Sequence, residues 1–86
     1  MHARMADEPA QKLATFIRTN LLQVPGAPLG LDTSLVDNGS LDSMGSTLLA
    51  AFIEEEFGMT LGDEDISPGR LGTIRQILAL IDERRG

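Results

Sequence analysis

The sequence predicts an all-α protein, a small four-helix bundle of three main helices and one short helix with a long first loop. Apolar residues recur at three- and four-residue steps in three segments, the period of amphipathic helices. No segment keeps the alternating pattern of a strand. The 86 residues, 42% of them hydrophobic, suffice for one core. We therefore expect a single domain over residues 1–86, with about residues 1–6 flexible.

The first predicted helix begins at "DEP", where Asp7 can cap the helix and Pro9 fits its first turn. It ends at "PG", Pro25 and Gly26, because that pair interrupts helices. The apolar stripe consists of Leu13, Phe16, Ile17, Leu21 and Val24. The following stretch, residues 25–40, is rich in loop-forming residues but also holds leucines. We expect this loop to lie over the core, through Leu29, Leu31, Leu35 and Leu41.

The second predicted helix has Asp42 as its N-cap and Gly58 as its C-terminal stop. Gly45 costs about 1 kcal/mol relative to alanine inside a helix, so we expect it to admit a partner backbone or a bound arm. The apolar stripe of this helix consists of Leu41, Leu48, Leu49, Phe52, Ile53 and Phe57. We expect the three phenylalanines of the chain, Phe16, Phe52 and Phe57, to lie in the core.

After the second helix, "GDEDISPG", residues 62–69, allows one short turn at most. The last predicted helix starts near Thr73 and ends in "DERRG", where Arg84 and Arg85 complement the helix dipole. Its apolar stripe consists of Leu71, Ile74, Ile77, Leu78 and Ile81.

Composition excludes several classes of function. The net charge of −6 argues against nucleic-acid binding, which needs a basic surface. No stretch approaches the ~20 apolar residues that cross a bilayer, and "MHARMADEPAQ" lacks the apolar core of a signal peptide. Together with the absence of cysteine, this predicts a cytoplasmic protein without membrane contact. The acidic runs Glu54–Glu56 and Asp63–Asp65 lack calcium-loop spacing, so we expect a solvated acidic face and no metal site.

Ser43 stands out because it directly follows Asp42 at the start of the second helix, in "LVDNGSLDSMG". A nucleophilic serine needs a base, and the one histidine is His2, near the terminus. We therefore predict no catalytic residue and no enzyme activity. Serine commonly has only a structural role at such a position. A helix N-terminus also favours phosphate, because its amide groups are unpaired and the dipole is positive there. Ser43 is thus well placed to carry a phosphodiester.

The segment "LVDNGSLDSMGSTLLAAFIEEEFG" resembles the modification segment of acyl and peptidyl carrier proteins. The matching features are Leu35, Asp37, Gly39, Asp42, Ser43, Met44, Glu54–Glu56 and Phe57. The resemblance continues through "DEDI" as the short third helix and "TIRQILALI" as the last, from about Leu35 to Ile81. It implies an acyl-carrier-protein-like fold.

The resemblance implies that Ser43 is the attachment site of 4′-phosphopantetheine, transferred from coenzyme A by a phosphopantetheinyl transferase. The arm's thiol then carries an acyl or aminoacyl group as a thioester. Asp42 would assist the transferase complex at its metal and pyrophosphate, and Met44 would offer partners a first apolar contact. The implied partners are this transferase, an acyl- or aminoacyl-activating enzyme and a downstream synthase or modifying enzyme. We expect the carrier itself to be a monomer.

The expected docking strip lies on one side of the second helix. It comprises Met44, Thr47, Leu48 and Ala51, bordered by Glu54 and Glu55. Carriers of bulk fatty acid synthesis have more acidic residues in the first turns of this helix. This departure favours a free-standing carrier of a polyketide, nonribosomal peptide, D-alanine-loading or related specialised pathway.

Two other classes of function stay open at this point. A noncovalent helical adaptor would need the same bundle without a modified serine, and a small hydrolase would need Ser43 together with His2. The cargo is not identified by the sequence. The natural start is Met1 or Met5, since "MHAR" looks like a tag.

Overall fold

The computed structural model describes the backbone of residues 2–24 and 26–85, and side chains from residue 8 to residue 84 except residue 25. Four α-helices follow one another: α1 (His2–Asn20), α2 (Ser43–Phe57), α3 (Pro68–Leu71) and α4 (Ile74–Arg85). A 3₁₀ turn, Asp63–Asp65, precedes α3. The described residues contain no strand. The predicted all-α bundle of three main helices, one short helix and a long first loop is confirmed.

The predicted limits of α1 were wrong at both ends. The helix begins at His2 rather than at "DEP", because Ala, Arg and Met before Asp7 are strong helix formers. Pro9 lies inside the helix. At the other end α1 stops at Asn20, and Val24 is exposed. Pro25 and the side chains of residues 1–7 lie outside the described residues, so the flexibility of residues 1–6 stays a prediction.

The core combines residues from every helix and from the loops. Leu13 and Ile17 of α1 and Leu49 and Ile53 of α2 are fully buried, as their helical spacing predicted. In α4 the sequence missed Leu80, which is buried, while Leu78 is only partly buried. The buried apolar set is Leu13, Ile17, Leu21, Leu35, Leu49, Ala50, Ile53, Leu61, Leu71, Ile74, Ile77, Leu80 and Ile81.

The three phenylalanines lie at the edge of this core rather than inside it, which corrects the prediction. The rings of Phe16 and Phe52 stack with centroids 4.2 Å apart, and Phe57 meets Phe52 edge-on at 6.4 Å. All three are half-buried. They are excluded from the centre because smaller aliphatic side chains from α1, α2 and α4 already fill it.

The first loop lies over the core, as its leucines predicted, and is hydrogen-bonded to the start of α4. Leu35 is fully buried, and its amide donates to the Gly72 carbonyl at 2.8 Å. The Arg75 amide donates to the Leu31 carbonyl at 3.0 Å. The Arg75 guanidinium also donates twice to the Asp32 carboxylate, at 2.7 and 3.1 Å. Leu31 is exposed, so its backbone rather than its side chain holds the loop.

The segment between α2 and α4 differs from the prediction in two respects. "DED" forms only a 3₁₀ turn, and the short α-helix begins at Pro68, whose fixed φ suits a first helical position. Asp65 is not part of a solvated acidic face, since it is only 2% exposed. Its carboxylate accepts bonds from Arg84 at 2.6 Å and from the Gly62 amide at 3.0 Å.

Candidate functional site

Asp42 caps the N-terminus of α2. Its backbone is extended, with φ −82° and ψ −174°, and its Oδ1 accepts a hydrogen bond from the Gly45 amide at 2.6 Å. Its carbonyl accepts from the Ser46 amide at 2.9 Å. The bond from Ser46 is the first regular bond of the helix, and the bond from Gly45 satisfies one of the amides that a helix start leaves unpaired. The predicted cap is confirmed, and one carboxylate oxygen of Asp42 is not used in it.

Ser43 is the first residue of α2, and its side chain is exposed. The amides of Ser43 and Met44 have no intrahelical acceptor, because no helical turn precedes them. They lie at the positive end of the helix dipole. The Ser43 carbonyl accepts from Thr47 Oγ1 at 3.1 Å, and the Ser43 hydroxyl makes no hydrogen bond to the described residues. The site therefore presents an accessible primary hydroxyl beside two anion-binding amides.

Gly45 is needed at this helix start by the chain itself. A β-carbon on Gly45 would collide with the carbonyl oxygen of Ser40. Ser40 is only 1% exposed, so the loop backbone is packed directly on the first turn of α2. The expectation that Gly45 admits a partner backbone or a bound arm was wrong, because Ser40 already occupies that space. Sequence reasoning did not identify Ser40 as the neighbour of Gly45. The glycine in the first turn of α2 was the one signal that another part of the backbone lies close to that turn.

The predicted docking strip shares an exposed side of α2. Met44 is 70% exposed and Leu48 is 43% exposed, so both apolar side chains face solvent. Thr47, Ala51 and Glu55 are exposed as well. These positions therefore offer partners an apolar surface with polar edges, close to Ser43.

Glu54 differs from the other residues of the strip. It is half-buried, and its Oε2 accepts a hydrogen bond from the Leu61 amide at 2.8 Å. Its carbonyl accepts from the Met59 amide at 3.2 Å, beside the C-cap Gly58, whose φ of 64° suits glycine. Glu54 therefore fixes the segment that follows α2, so its carboxylate has a structural role in addition to any role in partner binding.

The residues at Ser43 fit a phosphodiester-linked group. The first turn of α2 has no acidic residue, so the nearest carboxylate is that of Asp42, which faces the Gly45 amide. Ser40 Oγ is buried without a hydrogen-bond partner among the described residues. No cluster of potential metal ligands occurs in the described part of the chain. The side chain of His2, which the hydrolase alternative requires, lies outside the described residues.

A small helical bundle with the exposed Ser43 hydroxyl at the start of α2 is suited to carry a covalently attached group. Residues 12–81 match the profile of a family described as "Phosphopantetheine attachment site". The chain belongs to this family of carrier proteins. It is 30% identical over 77 residues to a protein named "Acyl carrier protein" from Solidesulfovibrio magneticus, covering 90% of this chain and 95% of that protein.

A solved structure gives the same result for the fold. One chain of a structure described as "Crystal structure of FAD-dependent dehydrogenase" is similar to this chain with a TM-score of 0.71 and 30% identity. The match covers 80% of this chain and 97% of that chain. As a family member, the protein carries a 4′-phosphopantetheine group and is not itself a catalyst. Among the described helices, none is both long and apolar enough to span a membrane.

Proposed function

We propose that Ser43 is the residue that bears the phosphopantetheine arm, and that the chain shuttles thioester-bound groups between enzymes. The observation that supports this is the position of Ser43, an exposed hydroxyl at the N-terminus of a 15-residue helix. The amides of Ser43 and Met44 can donate to the phosphate of the attached group. Asp42 keeps one carboxylate oxygen available for the metal or pyrophosphate in the transferase complex.

The attachment chemistry needs an outside enzyme. Ser43 Oγ forms a bond to the coenzyme A phosphorus that bears pantetheine, and the bond from that phosphorus to the nucleotide part breaks. The nucleotide leaves as adenosine bisphosphate, and the hydroxyl proton passes to a base. The phosphopantetheinyl transferase supplies both that base and Mg²⁺. The arm then supplies the thiol that this cysteine-free chain lacks.

Tethering explains why a protein without an active site is useful. A cargo attached to a docked carrier meets the next enzyme at a high effective concentration, because the second encounter becomes intramolecular. The docking strip of Met44, Thr47, Leu48 and Ala51, with Glu55 at its edge, would guide this docking. The acidic edge raises the encounter rate with a basic rim on the partner.

The surface near Ser43 favours a specialised pathway of the polyketide or nonribosomal peptide kind. Gly45, Ser46, Thr47 and Leu48 replace the acidic residues expected at the start of α2 in bulk fatty acid carriers. The loading enzyme should therefore offer an apolar cleft. The name of the curated relative favours an acyl cargo over an aminoacyl one. The description of the solved structure makes a flavin dehydrogenase one candidate for an enzyme that acts on the carried group.

Intact-protein mass spectrometry tests the proposal. After incubation with coenzyme A, Mg²⁺ and a broad-specificity transferase, the protein should gain the mass of one phosphopantetheine. Ser43→Ala should gain none while its helical circular-dichroism spectrum is unchanged. Ser46→Ala, three residues further along the same helix, is the matched control and should be modified normally. Modification of Ser43→Ala would place the arm on another residue, and a noncovalent adaptor would show no modification of any variant.

A further inference from the structure

Lys12 is the only lysine of the chain, since the other six of its seven basic residues are arginines. The guanidinium of arginine stays protonated in proteins, whereas the amine of lysine can lose its proton and become a nucleophile. Cysteine, the other common nucleophile toward acyl groups, is absent. Lys12 lies on α1 with its side chain 50% exposed. Its amine is therefore accessible to a reactive group at the surface of the protein.

A thioester-bound cargo is open to attack by such an amine. The nitrogen attacks the thioester carbonyl carbon, a carbon–nitrogen bond forms and the carbon–sulfur bond breaks. The sulfur leaves as the thiol of the arm and takes the proton that the nitrogen loses. The cargo is then fixed to the protein as an amide, which the next enzyme cannot accept as a thioester. Only the neutral amine reacts, because the ammonium form has no lone pair.

The amine of Lys12 is paired with a carboxylate of α2. Lys12 Nζ donates to Glu56 Oε2 at 2.8 Å. The hydrogen bond to Glu56 and its negative charge, assisted by the charge of Glu8, raise the pKa of Lys12 above its ordinary value of 10.5. Among the described residues, Glu8 and Glu56 are the charged side chains that line the surface beside Lys12. The pair therefore favours the ammonium form and holds it at the end of α2.

The arm on Ser43 brings the thioester to the limit of contact with this amine. Its linking atoms, equivalent to between four and five extended residues, span roughly 16 Å. From Ser43 to Glu56 the helix rises roughly 20 Å. The flexible four-carbon stem of Lys12 can cover the difference, but only after the amine leaves Glu56. Because the thioester is tethered to the same molecule, its effective concentration near a released amine is high.

We propose that Glu56 protects the thioester of the carrier from the carrier's own lysine, by holding the amine of Lys12 away from it. This inference rests on the attachment at Ser43 proposed above. Lys12 is thus a latent acylation site whose substrate is the acyl thioester on the same chain. When the pair with Glu56 is broken, the cargo passes from sulfur to the nitrogen of Lys12.

The test uses the full chain loaded from hexanoyl coenzyme A by a broad-specificity transferase and then incubated at mildly alkaline pH. Hydroxylamine cleaves thioesters and leaves amides, so the hexanoyl mass that survives it measures transfer to nitrogen, and peptide mapping locates it. Glu56→Gln should form the amide on Lys12 roughly two to five times faster than wild type, the range that an exposed ion pair supports. Glu64→Gln, which removes the same charge at an exposed position of the 3₁₀ turn, is the matched control and should behave as wild type. Lys12→Arg combined with Glu56→Gln should form no amide at position 12.

Mass spectrometry before hydroxylamine treatment separates this inference from the proposed function. A wild-type protein that gains no hexanoyl arm would overturn the attachment at Ser43, and this inference with it. Equal rates of amide formation in loaded wild type and Glu56→Gln would overturn the protection alone. A slower rate in Glu56→Gln would show that the carboxylate assists the attack as a base, which also contradicts the inference. A rate constant that rises in proportion to protein concentration would show transfer between two molecules and overturn transfer within one chain.

Discussion

The carbonyl oxygen of Ser40 lies where a β-carbon on Gly45 would be. The end of the first loop is therefore packed against the first turn of α2 with no side chain between them. Asp42 and Ser43 lie between these two residues in the chain. The contact thus fixes how the cap turns and where the Ser43 hydroxyl emerges.

Gly45→Ala should destabilise the protein. Alanine favours a helix by about 1 kcal/mol over glycine, but its methyl group must displace the Ser40 backbone. Overpacking of this kind typically costs about 1–3 kcal/mol, so we expect a net loss in the free energy of unfolding measured by urea denaturation. Gly69→Ala in α3 is the control, because its β-carbon would be 4.0 Å from the nearest atom, Ser67 Oγ. Equal stability of Gly45→Ala and wild type would contradict the tight contact.

Substitutions of Asp42 should separate its capping role from its role toward the transferase. Asparagine caps helices about as well as aspartate, so Asp42→Asn should keep the free energy of unfolding within about 0.5 kcal/mol of wild type. It removes the charge, and modification of Ser43 should therefore slow. Asp42→Ala should lose about 1 kcal/mol of stability as well. Thermal denaturation and the rate of mass gain measure the two effects. Unimpaired modification of Asp42→Asn would leave Asp42 as a cap alone.

Leu48→Glu should slow loading or transfer by a partner enzyme far more than it lowers the melting temperature. Leu48 is 43% exposed, so little buried apolar area is lost. The neighbouring Leu49→Glu is the control, because Leu49 is fully buried and a charge there should unfold the domain. Unfolding of Leu48→Glu would assign Leu48 to the core and remove the main support for a specialised docking strip.

The same strip allows a test of its acidic edge. Charge reversal at exposed Glu55 should make loading slower at low salt and less dependent on salt, because screening has less attraction to remove. Glu54 is unsuitable for this test, since its carboxylate also holds the Leu61 amide. Initial loading rates at several salt concentrations would measure the effect.

Acid should destabilise the protein through Asp65. The Arg84 guanidinium, followed by the Gly62 amide, holds the pKa of Asp65 below its usual value of 3.8. The unfolded state therefore binds the proton more readily than the folded state, and stability falls as the pH drops through 3.8 toward the lowered pKa. Asp65→Asn should lower the melting temperature at neutral pH and flatten its decline in acid. Asp63→Asn, exposed in the same turn, should leave the wild-type curve unchanged.

Helix limits were predicted well where the sequence has strong capping residues. Asp42 and Gly58 delimit α2 as their residue types predicted, and Thr73 Oγ1 accepts from the Gln76 amide at the start of α4. The short helix was placed one turn too early. Acidic residues in a row suggest a helix start, but the proline at position 68 decides where the helix begins.

Features that depend on tertiary contact could not be predicted from the sequence. Gly45 was visible as an anomaly, but only the fold shows that Ser40 is its neighbour. Similarly, no local pattern distinguishes Asp65, which is buried against Arg84, from the exposed Asp63 and Glu64. The apolar period of α2 could not decide on which side of the core boundary Leu48 falls. That boundary depends on how α1 packs beside it.

The attachment of the first loop to α4 affects how the chain opens. A long segment without helix or strand usually exchanges its amide hydrogens quickly and is cut readily by proteases. Here the Leu35 amide is bonded to Gly72 and buried under the core, and the Arg75 amide is bonded to the loop. Opening the loop therefore requires that the start of α4 be released. We therefore expect the loop and the start of α4 to open together, and the loop segment that leads to Ser43 to keep its shape while α4 stays folded.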